Sequence, residues 1–211
     1  MRKTDFTLCL IADTEAAKGR NILSIIEDAV DAGVTLVQLR AKNLETRDFL
    51  ALAVEIAKVL EAKKTALIIN DRVDIAQACG ASGVHLGQKD LPLPFARKIM
   101  RKKKRIGISV NTVKEAVEAE AEGADYLGVG PIFSTLTKKE LRPLLGLAGL
   151  KAIRKKVRIP ILAIGGINAA NARRVMDCGA EGIAVVSAIM GAKDIRRATK
   201  ELIEAMGRYK Q

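Results

Sequence analysis

Short apolar runs rich in β-branched residues alternate along this chain with longer stretches whose apolar positions recur at the helical period. The short runs predict strands near Phe6–Ala12, Val34–Leu39, Ala66–Ile69, Gly83–His85, Arg105–Ser109, Asp125–Gly128, Pro160–Ile164 and Gly182–Val186. The longer stretches predict helices. Asn21–Ala32 carries Ile22, Ile25, Ile26 and Ala29 on one face, and Arg47–Ala62 carries Leu50, Val54, Ala57 and Leu60. Thr112–Glu122, Asn168–Cys178 and Asp194–Gly207 read the same way. One kind of joint recurs between helix and strand: Ala32-Gly33-Val34, Gly80-Ala81-Ser82-Gly83, Gly123-Ala124-Asp125 and Gly179-Ala180-Glu181-Gly182. A glycine there suits a left-handed helix cap, and a repeated joint implies a repeated βα unit. Eight such units predict an α/β fold, a (β/α)8 TIM barrel, with an open doubly wound sheet as runner-up. Residues 1–211 read as a single barrel domain, with no linker or low-complexity segment in view.

Composition narrows this little, but charge and cysteine usage do. Of 211 residues, 49% are hydrophobic, which permits a substantial core and excludes global disorder. The longest uncharged run starts at Ile159 and ends before Arg173, too short for the ~20 residues of a membrane span. The N-terminal Met1-Arg2-Lys3-Thr4-Asp5 does not read as a secretory signal. A net charge of +12 suits any anionic ligand. Aromatics are 3% with no Trp, which weakens a base-stacking, nucleic-acid-binding model. The basic runs Arg97–Arg105 and Lys151–Arg158 precede predicted strands, on the face away from a barrel's chemistry, and read as solvated helix ends. Cys9, Cys79 and Cys178 are widely spaced, there is no Cys-x-x-Cys, and His85 is the only histidine. Zinc and a disulfide framework are thereby disfavoured, and a reducing cytoplasmic compartment is expected.

Barrel enzymes act where strands end and helices begin. Gln38, Arg40 and Lys42 alternate along the second strand end, so two cations can crown the mouth and grip a phosphate, or simply be a solvated strand end. Asp71 and Asp90 follow the third and fourth strands; each suits a helix cap, but as neighbours facing Arg40 and Lys42 they suit one Mg²⁺. His85 reads as a packed or hydrogen-bonded core residue before it reads as a base. Ser109, on the fifth strand, shares a side with Gly107. The stretch Ile132–Lys139 is long, rich in hydroxyls and ends in two lysines, as a binding loop or an exposed solvated loop would. Gly165-Gly166 and Ser187, at the ends of strands seven and eight, predict a phosphate site, with Ser187–Met190 as the short extra helix.

The ordered series Gln38-Leu39-Arg40-Ala41-Lys42, Asn70-Asp71, His85-Leu86-Gly87-Gln88-Lys89-Asp90, Thr135-Leu136-Thr137-Lys138, Ile164-Gly165-Gly166-Ile167 and Val186-Ser187-Ala188-Ile189 resembles the thiamine phosphate synthase family over almost the whole chain. The resemblance implies a (β/α)8 barrel that joins 4-amino-5-hydroxymethyl-2-methylpyrimidine diphosphate to a thiazole phosphate and releases pyrophosphate. It implies that Gln38, Arg40, Lys42, Asn70, Ser109 and Lys138 hold the pyrimidine diphosphate, and that Asp71 and Asp90 hold Mg²⁺. It implies that Thr135, Thr137, Gly166, Val186 and Ser187 hold the thiazole phosphate, with Leu39, Ala41, Leu136 and Gly165 in the same contact stretches. Arg40, Lys42 and Lys138 would be the catalytic cations. Family members often carry His where this chain has Asn111, and a smaller run where it has Glu140–Leu145. A related thiazole tautomerase on the same barrel is the alternative reading, and it expects a histidine in the strand-five region. Implied partners are small molecules, with no nucleic acid and no membrane; a symmetric homodimer is expected only from how common such dimers are.

Overall fold

The computed structural model describes residues 4–100, 104–134 and 143–207. Eight strands alternate with helices: β1 Leu8–Asp13, α1 Ile22–Asp31, β2 Leu36–Arg40, α2 Thr46–Ala62, β3 Ala66–Asn70, α3 Val73–Ala78, β4 Gly83–Leu86, α4 Leu93–Met100 and β5 Arg105–Val110. They continue as α5 Val113–Ala121, β6 Tyr126–Val129, α6 Gly146–Arg154, β7 Ile161–Ile164, α7 Ala172–Met176, β8 Gly182–Val185, α8 Ser187–Met190 and α9 Ile195–Ala205. Each strand pairs in parallel with the next, and β8 returns to β1, so the sheet closes. The runner-up open sheet is excluded by that last pairing. The recurring joint behaves as expected: Gly33, Gly80, Gly123 and Gly179 all have positive φ where a helix hands over to a strand.

Two apolar layers follow from strand alternation. Outward positions such as Leu10, Val37, Leu39, Ile69, Val84 and Ile183 pack under the helices. Inward positions Cys9, Ile11, Leu36, Ile68, Tyr126, Leu162 and Ala184 fill the barrel's lower interior. Fully burying one such Leu or Ile contributes about 1.5–3 kcal/mol. The interior is therefore a solid floor, and space opens only above it, toward the strand C-termini.

Among the boundaries that differ from the sequence pattern, three have a clear physical reason. β1 runs on to Asp13 because that buried carboxylate has partners, the Arg40 guanidinium and the Glu15 and Ala16 N–H groups. β2 runs on to Arg40 for the same pairing. The helix after β7 is only Ala172–Met176, because asparagine side chains take over the backbone before it: Asn168 N–H donates to Asn171 Oδ1 (2.9 Å) and Ala170 N–H to Asn168 Oδ1 (2.9 Å). The basic runs need a correction too. Arg97 and Arg105 both pair with Asp125, whose carboxylate also accepts from Ile106 N–H. Arg154 pairs with Glu181 and donates to the Ile159 carbonyl. These arginines are struts of the barrel's lower face, while Lys155, Lys156 and Arg158 remain exposed.

Candidate functional site

A cavity of about 410 Å³ opens at the C-terminal mouth of the barrel. Its floor is Ile11, Leu162 and Ala184, and its walls carry Asp13, Gln38, Arg40, Asn70, His85, Ser109, Tyr126, Gly165, Gly166, Val186 and Ser187. Gln38, Arg40, Asn70, Ser109, Gly165, Gly166, Val186 and Ser187, singled out from the sequence, thus meet in one space. Strand alternation sends the side chains of Leu39 and Ala41 the other way, into the buried layer under the helices. Thr135, Leu136, Thr137 and Lys138 lie outside the described residues.

Sequence reasoning missed Asp13. Register sets it beside Arg40, and its Oδ2 takes the Arg40 guanidinium in a partly buried ion pair. Its Oδ1 accepts from Glu15 N–H (2.9 Å) and Ala16 N–H (3.2 Å). Arg40 is therefore aimed by a fixed carboxylate rather than left to sweep through solvent. The one signal for Asp13 was its place at the end of a strand run.

Asp71 has φ +64, a left-handed conformation that Asp tolerates better than most residues. Its N–H donates to the His85 carbonyl (2.8 Å), which ties the end of β3 to β4. The turn brings Asp71 Oδ2 to 3.3 Å from Lys42 Nζ. Asp71 is not a cap: Arg72 occupies the cap position of α3 and makes no side-chain capping bond. Asp90 accepts from Gly87 N–H (2.6 Å) within its own loop. Burial pushes the Asp90 carboxyl up, the Gly87 amide pulls it back, and the adjoining Asp71 carboxylate raises it again. Two carboxylates thus face one another beside a cation. No cluster of three or more metal-ligating side chains exists among the described residues. A pair of this kind suits Mg²⁺, which keeps water and phosphate oxygens in its other positions.

At β7, Gly165 and Gly166 have φ of +101 and +63. A Cβ on Gly165 would lie 2.7 Å from Pro131, and one on Gly166 would lie 2.5 Å from the Ser134 carbonyl. Their carbonyls are engaged elsewhere, by Phe133 N–H (3.0 Å) and by Asn171 Nδ2 (2.9 Å). After β8, the short helix α8 starts at Ser187 as anticipated. The closed strand order sets β3 across the mouth from β7, so the carboxylate pair and the glycine corner occupy opposite arcs. Asn111 has its own task. Its Nδ2 donates to the carbonyls of Gly130 (3.0 Å) and Pro143 (3.0 Å), which bracket the long loop.

A family model described as thiamine monophosphate synthase matches residues 8–189. The chain belongs to the thiamine monophosphate synthase family. A thiamine-phosphate synthase of Clostridium novyi (strain NT) is 50% identical over 198 residues, covering 94% of this chain and 97% of that protein. One from Syntrophomonas wolfei is 46% identical, covering 96% of this chain and 97% of that one. The solved structure of a thiamine phosphate pyrophosphorylase from Pyrococcus furiosus superposes with a TM-score of 0.88 at 39% identity, over 97% of this chain and 96% of that chain. Family membership makes the chain an enzyme of thiamine biosynthesis, a transferase on a (β/α)8 barrel.

Proposed function

We propose that this chain, acting as one barrel domain, condenses 4-amino-5-hydroxymethyl-2-methylpyrimidine diphosphate with a thiazole phosphate to give thiamine phosphate and pyrophosphate. The observation that supports the site assignment is one cavity lined by Gln38, Arg40 and Asn70 on one arc and by Gly165, Gly166 and Ser187 on another. Arg40, Lys42 and Lys138 take the diphosphate, with Gln38, Asn70 and Ser109 donating polar contacts. Thr135, Thr137, Gly166, Val186 and Ser187 take the thiazole phosphate, through backbone N–H groups and hydroxyls. Mg²⁺ held by Asp71 and Asp90 would neutralise charge on the diphosphate. The bond from the pyrimidine methylene carbon to the diphosphate oxygen breaks, and its electron pair leaves with pyrophosphate. The thiazole nitrogen then gives its lone pair to that carbon, forming the C–N bond. Arg40, aimed by Asp13, meets the charge that develops on the departing oxygen, the term that usually dominates such catalysis.

The tautomerase alternative has no supporting observation: position 111 is an asparagine whose amide is committed to two backbone carbonyls. Cys9, Cys79 and Cys178 are free thiols, which supports a reducing cytoplasmic setting. No helix among the described residues is long and apolar enough to cross a membrane. A twofold homodimer is the assembly we favour, on the frequency of such oligomers alone. Incubation with both precursors and Mg²⁺ should release pyrophosphate only when the thiazole phosphate is present. Pyrophosphate release that ignores the thiazole phosphate would reduce the reading to a hydrolase.

A further inference from the structure

In the wall of the cavity, three polar side chains from three strands form a chain. His85 on β4 lies with Nδ1 3.0 Å from Tyr126 Oη on β6 and with Nε2 2.8 Å from Ser109 Oγ on β5. The two rings reach each other because the strands between and beside them carry no side chain there. A Cβ on Gly107 would lie 2.1 Å from Tyr126 Cζ, and a Cβ on Gly128 would lie 2.7 Å from His85 Cε1. Both rings pack at a tilt, with centroids 5.4 Å apart. Gly107, on the same side of β5 as Ser109, leaves its room to the tyrosine.

We propose that Tyr126 and His85 are positioning residues that fix the polarity of this chain, so that Ser109 presents its hydroxyl proton to the diphosphate substrate. The direction follows from which end is dry. Tyr126 is fully buried, and its one hydrogen-bond partner among the described residues is His85 Nδ1. Burial holds its phenol well above the ordinary tyrosine range, so the phenol keeps its proton. A buried hydroxyl proton without an acceptor is costly, and Nδ1 is the acceptor at hand. Nδ1 must then be unprotonated, which puts the ring proton on Nε2. Nε2–H donates to Ser109 Oγ. Ser109 cannot return its own proton to Nε2, and it lines the cavity. Its proton therefore points to whatever occupies the cavity, a polarity that suits phosphate oxygens. With the opposite tautomer, Ser109 would spend its proton on the histidine and offer only a lone pair to an anion.

The idea rests on the synthase reading for its substrate, but its first test does not. The chain has a single histidine, so an untagged, ¹⁵N-labelled sample gives one imidazole to assign. Its ring nitrogens should report protonation at Nε2 and a bare Nδ1 in the wild type. A proton on Nδ1 alone would overturn the relay. Tyr126→Phe keeps the ring and its packing on Phe6 while removing the donor. In that variant both tautomers should appear, and kcat/KM for the pyrimidine diphosphate should fall about tenfold, the worth of one lost hydrogen bond. KM for the thiazole phosphate should not move. In a Ser109→Ala background the same substitution should cost nothing further. An equal loss in that background would show that the effect bypasses Ser109 and would overturn the proposal. An inactive wild type would overturn the synthase reading alone, and the spectrum still decides the relay.

Discussion

Asp13 carries two loads at the end of β1: it anchors the start of the following loop through Glu15 and Ala16, and it holds the Arg40 guanidinium. Substituting Asp13→Asn keeps the shape and the loop contacts but removes the charge that aims Arg40. We expect kcat/KM for the pyrimidine diphosphate to fall about tenfold to a hundredfold, the worth of a charge-assisted hydrogen bond. Melting temperature should change little, and unchanged kinetics would mean Arg40 needs no aiming. The strand-end places of Arg40, Lys42, Asp71 and Asp90 were legible because charged side chains there are conspicuous in the chain. The pairing of Asp13 was not, since its partner shows only once the register of β1 against β2 is known. His85 read as a hydrogen-bonded core residue, which is its environment here, but its partners on β5 and β6 lie far away in sequence.

Elements fail or succeed here at their ends. The helix after β7 lost its first turn to Asn168 and Asn171, whose side chains offer the backbone a competing set of bonds. That competition is invisible to periodicity, which counts only apolar spacing. The Gly165-Gly166 corner was legible because two glycines at a strand end have few other uses. Gly165→Ala would force a Cβ into Pro131 at a φ that alanine rarely adopts. It should destabilise the fold by about 1–3 kcal/mol, read as a lowered chemical-denaturation midpoint. A variant as stable as wild type would show that the corner relaxes freely and is not a rigid phosphate cradle.

At the scale of the whole molecule, the barrel was legible because one joint recurs and strands follow at short intervals. The use of its cationic surplus was less so. Charge runs look alike whether they are solvated or structural, and only the fold shows Arg97, Arg105 and Arg154 pinned to Asp125 and Glu181. Both kinds lie on the face away from the cavity. The double variant Lys155→Glu, Lys156→Glu should therefore leave turnover within about a few-fold of wild type, since exposed charges far from the site are screened. Arg154→Glu should instead lower the melting temperature, because it sets a like charge against Glu181. Loss of turnover in the lysine variant, with the fold intact, would put the lower face into the reaction.

The central claim is that one cavity receives two anions on opposite arcs. Steady-state kinetics with both substrates varied, on Arg40→Gln and Ser187→Ala, tests it most directly. Arg40→Gln should weaken the pyrimidine diphosphate about a hundredfold in kcat/KM and spare KM for the thiazole phosphate. Ser187→Ala should raise KM for the thiazole phosphate about tenfold and spare the pyrimidine diphosphate. Two variants that impair the same substrate, or a Ser187→Ala enzyme with wild-type constants for both, would contradict the two-arc account.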